Sequence, residues 1–414
     1  MTYIEFYDTT EAENICACLA HAPQRVILVG PDEELLLDRI QRYRKLLKKH
    51  DLTPQFDHRC VDNNCISQII NVLSDLVEEY EDCAFDLTGG DDLYLTAVGI
   101  VTERYSARAI QMHRFDLRSG QVHDCDLDGV NLLTANQPRI SVLENVRLYG
   151  GTVVYENFQP GTTPIWDMSP EFIEDIRTMW SICSNPSRQK PEQEWNAQIN
   201  TLAEADKLMP KGSDPLLTRV PVHVLSNRGE FTIIPEILDA LRDACLLERY
   251  CYDGDTLELV YKNLQVKKCL TKAGQVLEMA IYAAALELEE DGESVYQDVE
   301  NGVCIDWDGM IQSKFRDTRN EIDVLMMRGM IPVFVSCKNG EVLPEELYKL
   351  NSVAQYFGGH LAVKILVAPA LRYRSDAKKI KNRAQELGIH VVDEVGGKSW
   401  RVLRQIVKDF WCKQ

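Results

Sequence analysis

The sequence predicts an α/β protein of two units and a connector, on three observations. Over roughly the first 120 residues, short apolar runs alternate with amphipathic stretches of helical period. A similar alternation fills the last third of the chain, whereas the region between loses this rhythm and collects prolines. The length of 414 residues also exceeds what one hydrophobic core usually organises. The expected division is 1–145, 146–268 and 269–414.

In the N-terminal unit, Tyr3 to Tyr7, Arg25 to Gly30, Ala84 to Leu87 and Ala107 to Phe115 read as strands. Thr10 to Ala20, Asp32 to Lys48, Ile66 to Glu79 and Leu93 to Glu103 read as helices. Strands separated by single helices pair in parallel through right-handed crossovers, which gives a doubly wound sheet. Ligands of such sheets sit beyond the carboxyl ends of the strands. Two loops fall there, Asp8-Thr9-Thr10 and Leu87-Thr88-Gly89-Gly90-Asp91-Asp92. In the second, Gly89 and Gly90 permit a tight turn and a close backbone approach, with the Thr88 hydroxyl beside them and a helix N-terminus behind. Alone, the stretch also reads as a turn with a capping Asp, and its two aspartates speak against a simple phosphate cradle.

The connector holds Pro160, Gly161 and Pro164 within Tyr155 to Trp166, then helical patterns at Ser169 to Cys183 and Trp195 to Lys207. A helix over Pro235 to Leu246 and a hairpin about Asp253-Gly254 resemble a small winged-helix element; without a basic recognition helix, its expected job is packing. The C-terminal unit reads as helix Thr271 to Leu288, strand Val303 to Trp307, a hairpin over 320–340, helix Pro344 to Phe357, strand Ala362 to Ala368, helix Ser375 to Leu387, strand Ile389 to Val392 and helix Ser399 to Trp411.

Composition narrows the class. There is no apolar run of about eighteen residues and no basic-apolar-small leader after Met1, so a cytoplasmic protein away from membranes is expected. The 13 cysteines are scattered and mostly lie in apolar segments, the pattern of reduced core thiols. Cys16-x-Cys18 and the Cys60/Cys65 pair lack the partners of a zinc ribbon. A net charge of −19 argues against nonspecific coating of nucleic acid. From residue 361 onward, however, 12 Lys or Arg face 5 Asp or Glu, which suits either a solvated helix face or a phosphate-binding one.

The hairpin NEIDVLMMRGMIPVFVSCKNG carries charge inside two apolar runs. Residues two apart in a strand share a face, and a two-residue loop at Gly329-Met330 sets Asp323 opposite Ser336 and Glu321 opposite Lys338. These charges either pair with each other or serve a metal ion. Phosphodiester hydrolysis needs a hard divalent cation held by carboxylate and carbonyl oxygens, with a lysine to position the attacking water. Glu278, on the preceding helix, stands where a further carboxylate is wanted, though alone it reads as an ordinary exposed helix residue.

The order helix-Glu, strand-Asp, hairpin, strand-Lys resembles the PD-(D/E)xK nucleases. NEIDV and VFVSCKNG are similar to the subfamily of type III CRISPR ancillary nucleases in which a CARF domain precedes the nuclease. The resemblance implies a Rossmann-like, dimeric CARF domain that binds cyclic oligoadenylate over Thr9, Thr10, Thr88, Gly89, Gly90 and Asp91. Cyclic tetra-adenylate, whose symmetry matches a two-fold dimer, is the implied activator. It implies a nuclease domain that cuts DNA and possibly RNA with Mn2+ or Mg2+. Asp323 would hold the metal with Glu278 or Glu321 and the Cys337 carbonyl, Lys338 would position water, and Lys378, Lys379, Lys381 and Arg383 would carry the substrate backbone. Ser336 departs from the family pattern, which has an acid there. That departure keeps open a catalytically inactive, nucleotide-gated nucleic-acid binder; a constitutive repair nuclease is a third reading.

Overall fold

The computed structural model describes residues 1–413 apart from 126–129, 134–136, 155–165, 186, 189–190, 227–230 and 311–318. Pro160, Gly161 and Pro164 therefore lie outside the described residues. The chain begins with β1 (Thr2–Phe6), α1 (Glu11–His21), β2 (Arg25–Gly30), α2 (Glu33–Lys49), β3 (Gln55–Cys60), α3 (Ile66–Glu79), β4 (Cys83–Asp86) and α4 (Asp92–Arg104). β5 (Gln111–Asp116), β6 (Gln121–Cys125) and β7 (Val130–Leu133) follow. Among the described residues these strands form one sheet in the order β3-β2-β1-β4-β5-β6-β7. β3 through β5 run parallel, and β6 and β7 are antiparallel additions at one edge.

Tyr3, Ile4, Phe6, Ile27, Leu28, Val29 and Phe85 are fully buried, as near-continuous apolar runs must be when helices cover both faces of a parallel sheet. β3 has no such run: Gln-Phe-Asp-His-Arg-Cys is an edge strand, half in water, so its polar sequence gives no strand signal. The strand expected from Ala107 starts only at Gln111, because Ala107 and Arg108 complete the turn after α4.

α5 (Val142–Leu148) opens with a capping box in which Ser141 and Glu144 satisfy each other's backbone N–H. β8 (Thr152–Val153) follows within the stretch expected as connector, and it is the edge strand of the second sheet, paired with Ile305 and Asp306. Next come α6 (Pro170–Cys183) and α7 (Pro191–Lys207), then a winged element: β9 (Leu217–Pro221), α8 (Val222–Ser226), α9 (Pro235–Asp243), β10 (Leu247–Tyr252) and β11 (Thr256–Tyr261), its strands ordered β10-β11-β9. Ile237, Leu238, Leu241, Leu257 and Leu259 pack into one cluster with Trp180, Trp195 and Ile281, so this element is a packing piece.

After α10 (Leu264–Leu270), Gly274 at φ +81° turns the chain into α11 (Gln275–Leu286). The short ribbon β12 (Glu289–Glu290) and β13 (Glu293–Ser294) precedes β14 (Asp298–Asp306), β15 (Arg319–Arg328) and β16 (Ile331–Cys337). α12 (Pro344–Gly358), β17 (Val363–Val367), α13 (Ala377–Glu386), β18 (Ile389–Val392) and α14 (Trp400–Lys408) complete the chain. The second sheet runs β18-β17-β16-β15-β14-β8, parallel from β16 to β18 and antiparallel elsewhere. A single apolar cluster passes from Ala12 and Ile15 of α1 through Val142 and Val146 of α5 to Phe334 of β16 and Phe357 of α12. The two sheets therefore share a core. Among the described residues no helix is long and apolar enough to cross a membrane.

Candidate functional site

The hairpin register puts the acidic residue where the spacing places it. Val324 pairs with Val335, Met326 with Val333 and Arg328 with Ile331, so Gly329, at φ +60°, and Met330 form the two-residue loop. Continuing the same register sets Asp323 opposite Ser336. The Ser336 hydroxyl donates to Asp323 Oδ2 at 3.2 Å and the Cys337 N–H donates to that oxygen at 2.6 Å. The Asn301 amide fixes the backbone beneath by donating to the Asp323 carbonyl at 2.9 Å.

Glu278 is not the exposed helix residue its position alone suggests: it is 8% exposed. The Gln275 amide donates to its Oε2 at 3.1 Å, and Lys272 Nζ lies 3.9 Å away. Burial, and then the charges of Asp323 and Glu321, push the Glu278 carboxyl up to about 7. Burial also raises Asp323, against the lowering effect of the Cys337 N–H and Lys338. Lys338 is held above its ordinary value: burial would lower it, but Asp323, Glu346 and Glu278 outweigh that. Glu278, Asp323 and Lys338 thus form one electrostatic unit between α11, β15 and β16.

Glu321 faces the same neighbourhood but is exposed. Lys338 Nζ is paired instead with Glu346 on the first turn of α12, at 3.1 Å. Sequence reading missed Glu346, since an acid in a helix's first turn is ordinary. Among the described residues no group of three or more His, Cys, Asp or Glu is arranged to hold a metal ion. The donor set still suits one: a buried and a half-buried carboxylate that repel each other, with a serine hydroxyl beside them, are the hard oxygen environment that a divalent cation neutralises. Cys337 itself is buried with its thiol pushed up by burial, so only its backbone is suited to that role.

At the other sheet, the loops after β1 and β4 meet where the strand order reverses, the place where doubly wound sheets take ligands. Asp8 ties them together: Oδ1 accepts the Thr10 N–H at 2.8 Å and Oδ2 accepts the Gly90 N–H at 3.1 Å. Arg39, stacked on the Tyr7 ring, donates to the Asp8 carbonyl. Gly90 has φ +96°, and a Cβ there would stand 2.7 Å from Phe6 Cβ, so glycine is required. At Gly89 a Cβ would approach Asn14 to 3.0 Å.

Two of the expected ligand groups have structural work. The Thr88 hydroxyl donates to Asp86 and accepts the Phe115 N–H at 2.8 Å. Asp91 caps α4, accepting the Leu93 and Tyr94 N–H groups at 3.0 and 3.3 Å. Thr9 is exposed, and Thr10 is buried under His360, whose Nδ1 lies 3.1 Å from the Thr10 hydroxyl. Beside the loops, a recess of about 400 Å3 is lined by Thr88, Glu13, Arg114, Arg118, His123 and His360. Arg114, Arg118 and His123 come from the β5–β6 hairpin and His360 from beyond α12, too far apart in sequence for any spacing to join them.

The basic C-terminal stretch divides. Lys381 pairs with Asp393 at 2.6 Å, and Arg383 engages Glu386 and the Tyr348 hydroxyl. Lys378 and Lys379 line a shallow groove with Pro344, Tyr348 and Arg383 that starts at the N-terminal end of α12.

No protein-family model matches the chain, and no curated protein matches it. Among the solved structures that match are two that do so over nearly their whole length. One is protein VC1899 from Vibrio cholerae, with TM-score 0.74 and 18% identity over 100% of this chain and 98% of that one. The other is Can2 from Sulfobacillus thermosulfidooxidans in complex with cyclic tetra-adenylate, with TM-score 0.68 and 15% identity over 99% and 97%. From end to end, the chain thus shares the fold of a protein solved with cyclic tetra-adenylate bound.

Proposed function

We propose that this protein is a cyclic oligoadenylate-activated, metal-dependent endonuclease of CRISPR defence, with cyclic tetra-adenylate as activator. The observation that carries the reading is the convergence of buried Glu278 and half-buried Asp323 beside Lys338. Buried like charges are costly unless they serve something, and a phosphodiester site is what this set fits. Asp323, Glu278 and the Cys337 carbonyl would hold Mg2+ or Mn2+, with Glu321 at the solvent edge. The ion supplies charge neutralisation for the pentacovalent phosphate and acidifies water. Lys338 donates its ammonium N–H to orient the attacking water, and the Cys337 N–H and Ser336 hydroxyl hold Asp323 Oδ2, which favours the carboxylate form against the raising effect of burial. Lys378 and Lys379 would attract the substrate backbone toward the cleft.

On the sensing side, support comes from the loops at the switch point, the recess with Arg114 and Arg118 beside them, and the adenylate bound to the Can2 structure. A two-fold dimer would present both loop pairs to one ring. The Ser336–Asp323 hydrogen bond favours a second reading, in which serine replaces the missing acid and the domain binds nucleic acid without cutting. Plasmid, single-stranded DNA and RNA incubated with manganese, with and without cyclic tetra-adenylate, separate the two. Cutting that needs both metal and adenylate is the expected result, and Asp323→Asn should lower it at least about a thousandfold while adenylate binding persists. Full-rate cutting by that variant would sink the assignment; adenylate binding without any cutting would establish the second reading.

A further inference from the structure

A single helix touches both sites. α12 follows β16 after a short loop, and its first turn carries Glu346, 3.1 Å from Lys338 Nζ. Its 15 residues extend about 22 Å. At the far end the chain turns through Gly359, at φ +56°, so close to the ligand loop that a Cβ would stand 2.7 Å from Thr10 Oγ1. His360 then bridges that loop: Nδ1 is 3.1 Å from Thr10 Oγ1 and Nε2 is 3.3 Å from Glu13 Oε1. Between the ends, Leu347, Leu350, Val353, Ala354 and Phe357 are buried in the core shared with α1 and β16. A helix so embedded shifts as a rigid body, because packed cores offer discrete arrangements and little continuous deformation.

We infer that α12 is the strut coupling adenylate binding to cleavage: the Gly359–His360 corner latches onto Thr10 and Glu13, and Glu346 is the positioning residue that aims Lys338. The inference rests on the gated-nuclease reading. The Glu13 hydrogen bond and charge keep the imidazole more basic than usual, against its partial burial. An anionic ring seated over Thr9 and Thr10 competes with Glu13 for that imidazole, which frees or drags the corner. The displacement travels along α12 to Glu346, which re-aims the Lys338 ammonium relative to Asp323. No bond to the substrate is made by Glu346 itself.

The test uses the full chain, with cyclic tetra-adenylate binding followed by calorimetry and manganese-dependent cleavage followed with and without it. In His360→Ala, assayed at adenylate concentrations that calorimetry shows to be saturating for the variant, the ratio of stimulated to unstimulated cleavage should fall about tenfold or more. Glu13→Gln, which leaves the nuclease unit untouched, should lower the same ratio and covers the case in which His360→Ala folds poorly. Glu346→Gln should lower kcat about tenfold with KM for DNA within about twofold, and Glu346→Asp should recover part of it. Adenylate-bound His360→Ala and Glu13→Gln with the wild-type ratio would overturn the strut and leave the gated nuclease standing. A wild-type protein that binds no adenylate, or cuts equally without it, would overturn both.

Discussion

Glu5 and Asp86 lie side by side beneath the ligand loops, both fully buried. Asp86 Oδ1 is occupied by the Thr88 N–H and hydroxyl. Glu5 Oε2 and Asp86 Oδ2 have no other hydrogen-bonding partner, an arrangement that a proton shared between the two carboxyls would satisfy. Burial pushes Asp86 up to about 6 and Glu5 well above the usual carboxylate range. A carboxyl whose folded pKa is raised favours the folded state below its unfolded pKa and loses that advantage as pH rises through the folded value. The window for Asp86 is therefore the interval from about 4 to about 6. Glu5→Gln supplies a permanent donor to Asp86 and should remove the dependence. Urea unfolding at pH 5 and 7.5 should show wild type losing on the order of 1 kcal/mol more than the variant over that range; equal slopes would mean the proton is not shared.

At the scale of elements, the loop after β4 depends on Gly90. Ala at that position must adopt φ +96° and meet Phe6, so Gly90→Ala should cost about 1–3 kcal/mol in thermal unfolding and weaken adenylate binding through the loop Asp8 holds. Which elements the sequence betrayed follows from their surroundings. β15 and β16 were legible because both are buried between layers and a two-residue turn leaves one register. The helices α2 and α12 announce themselves by amphipathic period and by starts at Asp32 and Pro344. β3 and β8 are edges, one polar and the other two residues long, and neither carries a pattern above its neighbours. Asp323 and Lys338 were readable because charge in a buried strand is rare. Glu346 and His360 were not, since a first-turn acid and a lone histidine are commonplace until the fold places them.

The whole molecule carries charge unevenly. Its net −19 repels a nucleic acid everywhere except near a local basic face, so the groove lined by Lys378 and Lys379 should dominate substrate capture. Replacing both by alanine should raise KM for DNA several-fold and flatten its dependence on salt by about two units of log–log slope, with adenylate affinity unchanged. A salt dependence identical to wild type would place the substrate path elsewhere.

The pairing of Thr152 and Val153 with Ile305 and Asp306 has a consequence for how such proteins can be recombined. The chain leaves the first sheet, lays two residues on the rim of the second, and only then builds α6 and α7. A crossover downstream of Val153 that replaced the first unit together with those two residues would strip the cover from β14. The bared rim would then seek strands on other molecules. Exchange of the first unit in this architecture must therefore leave residues 152 and 153 with the second sheet, or bring a substitute for them.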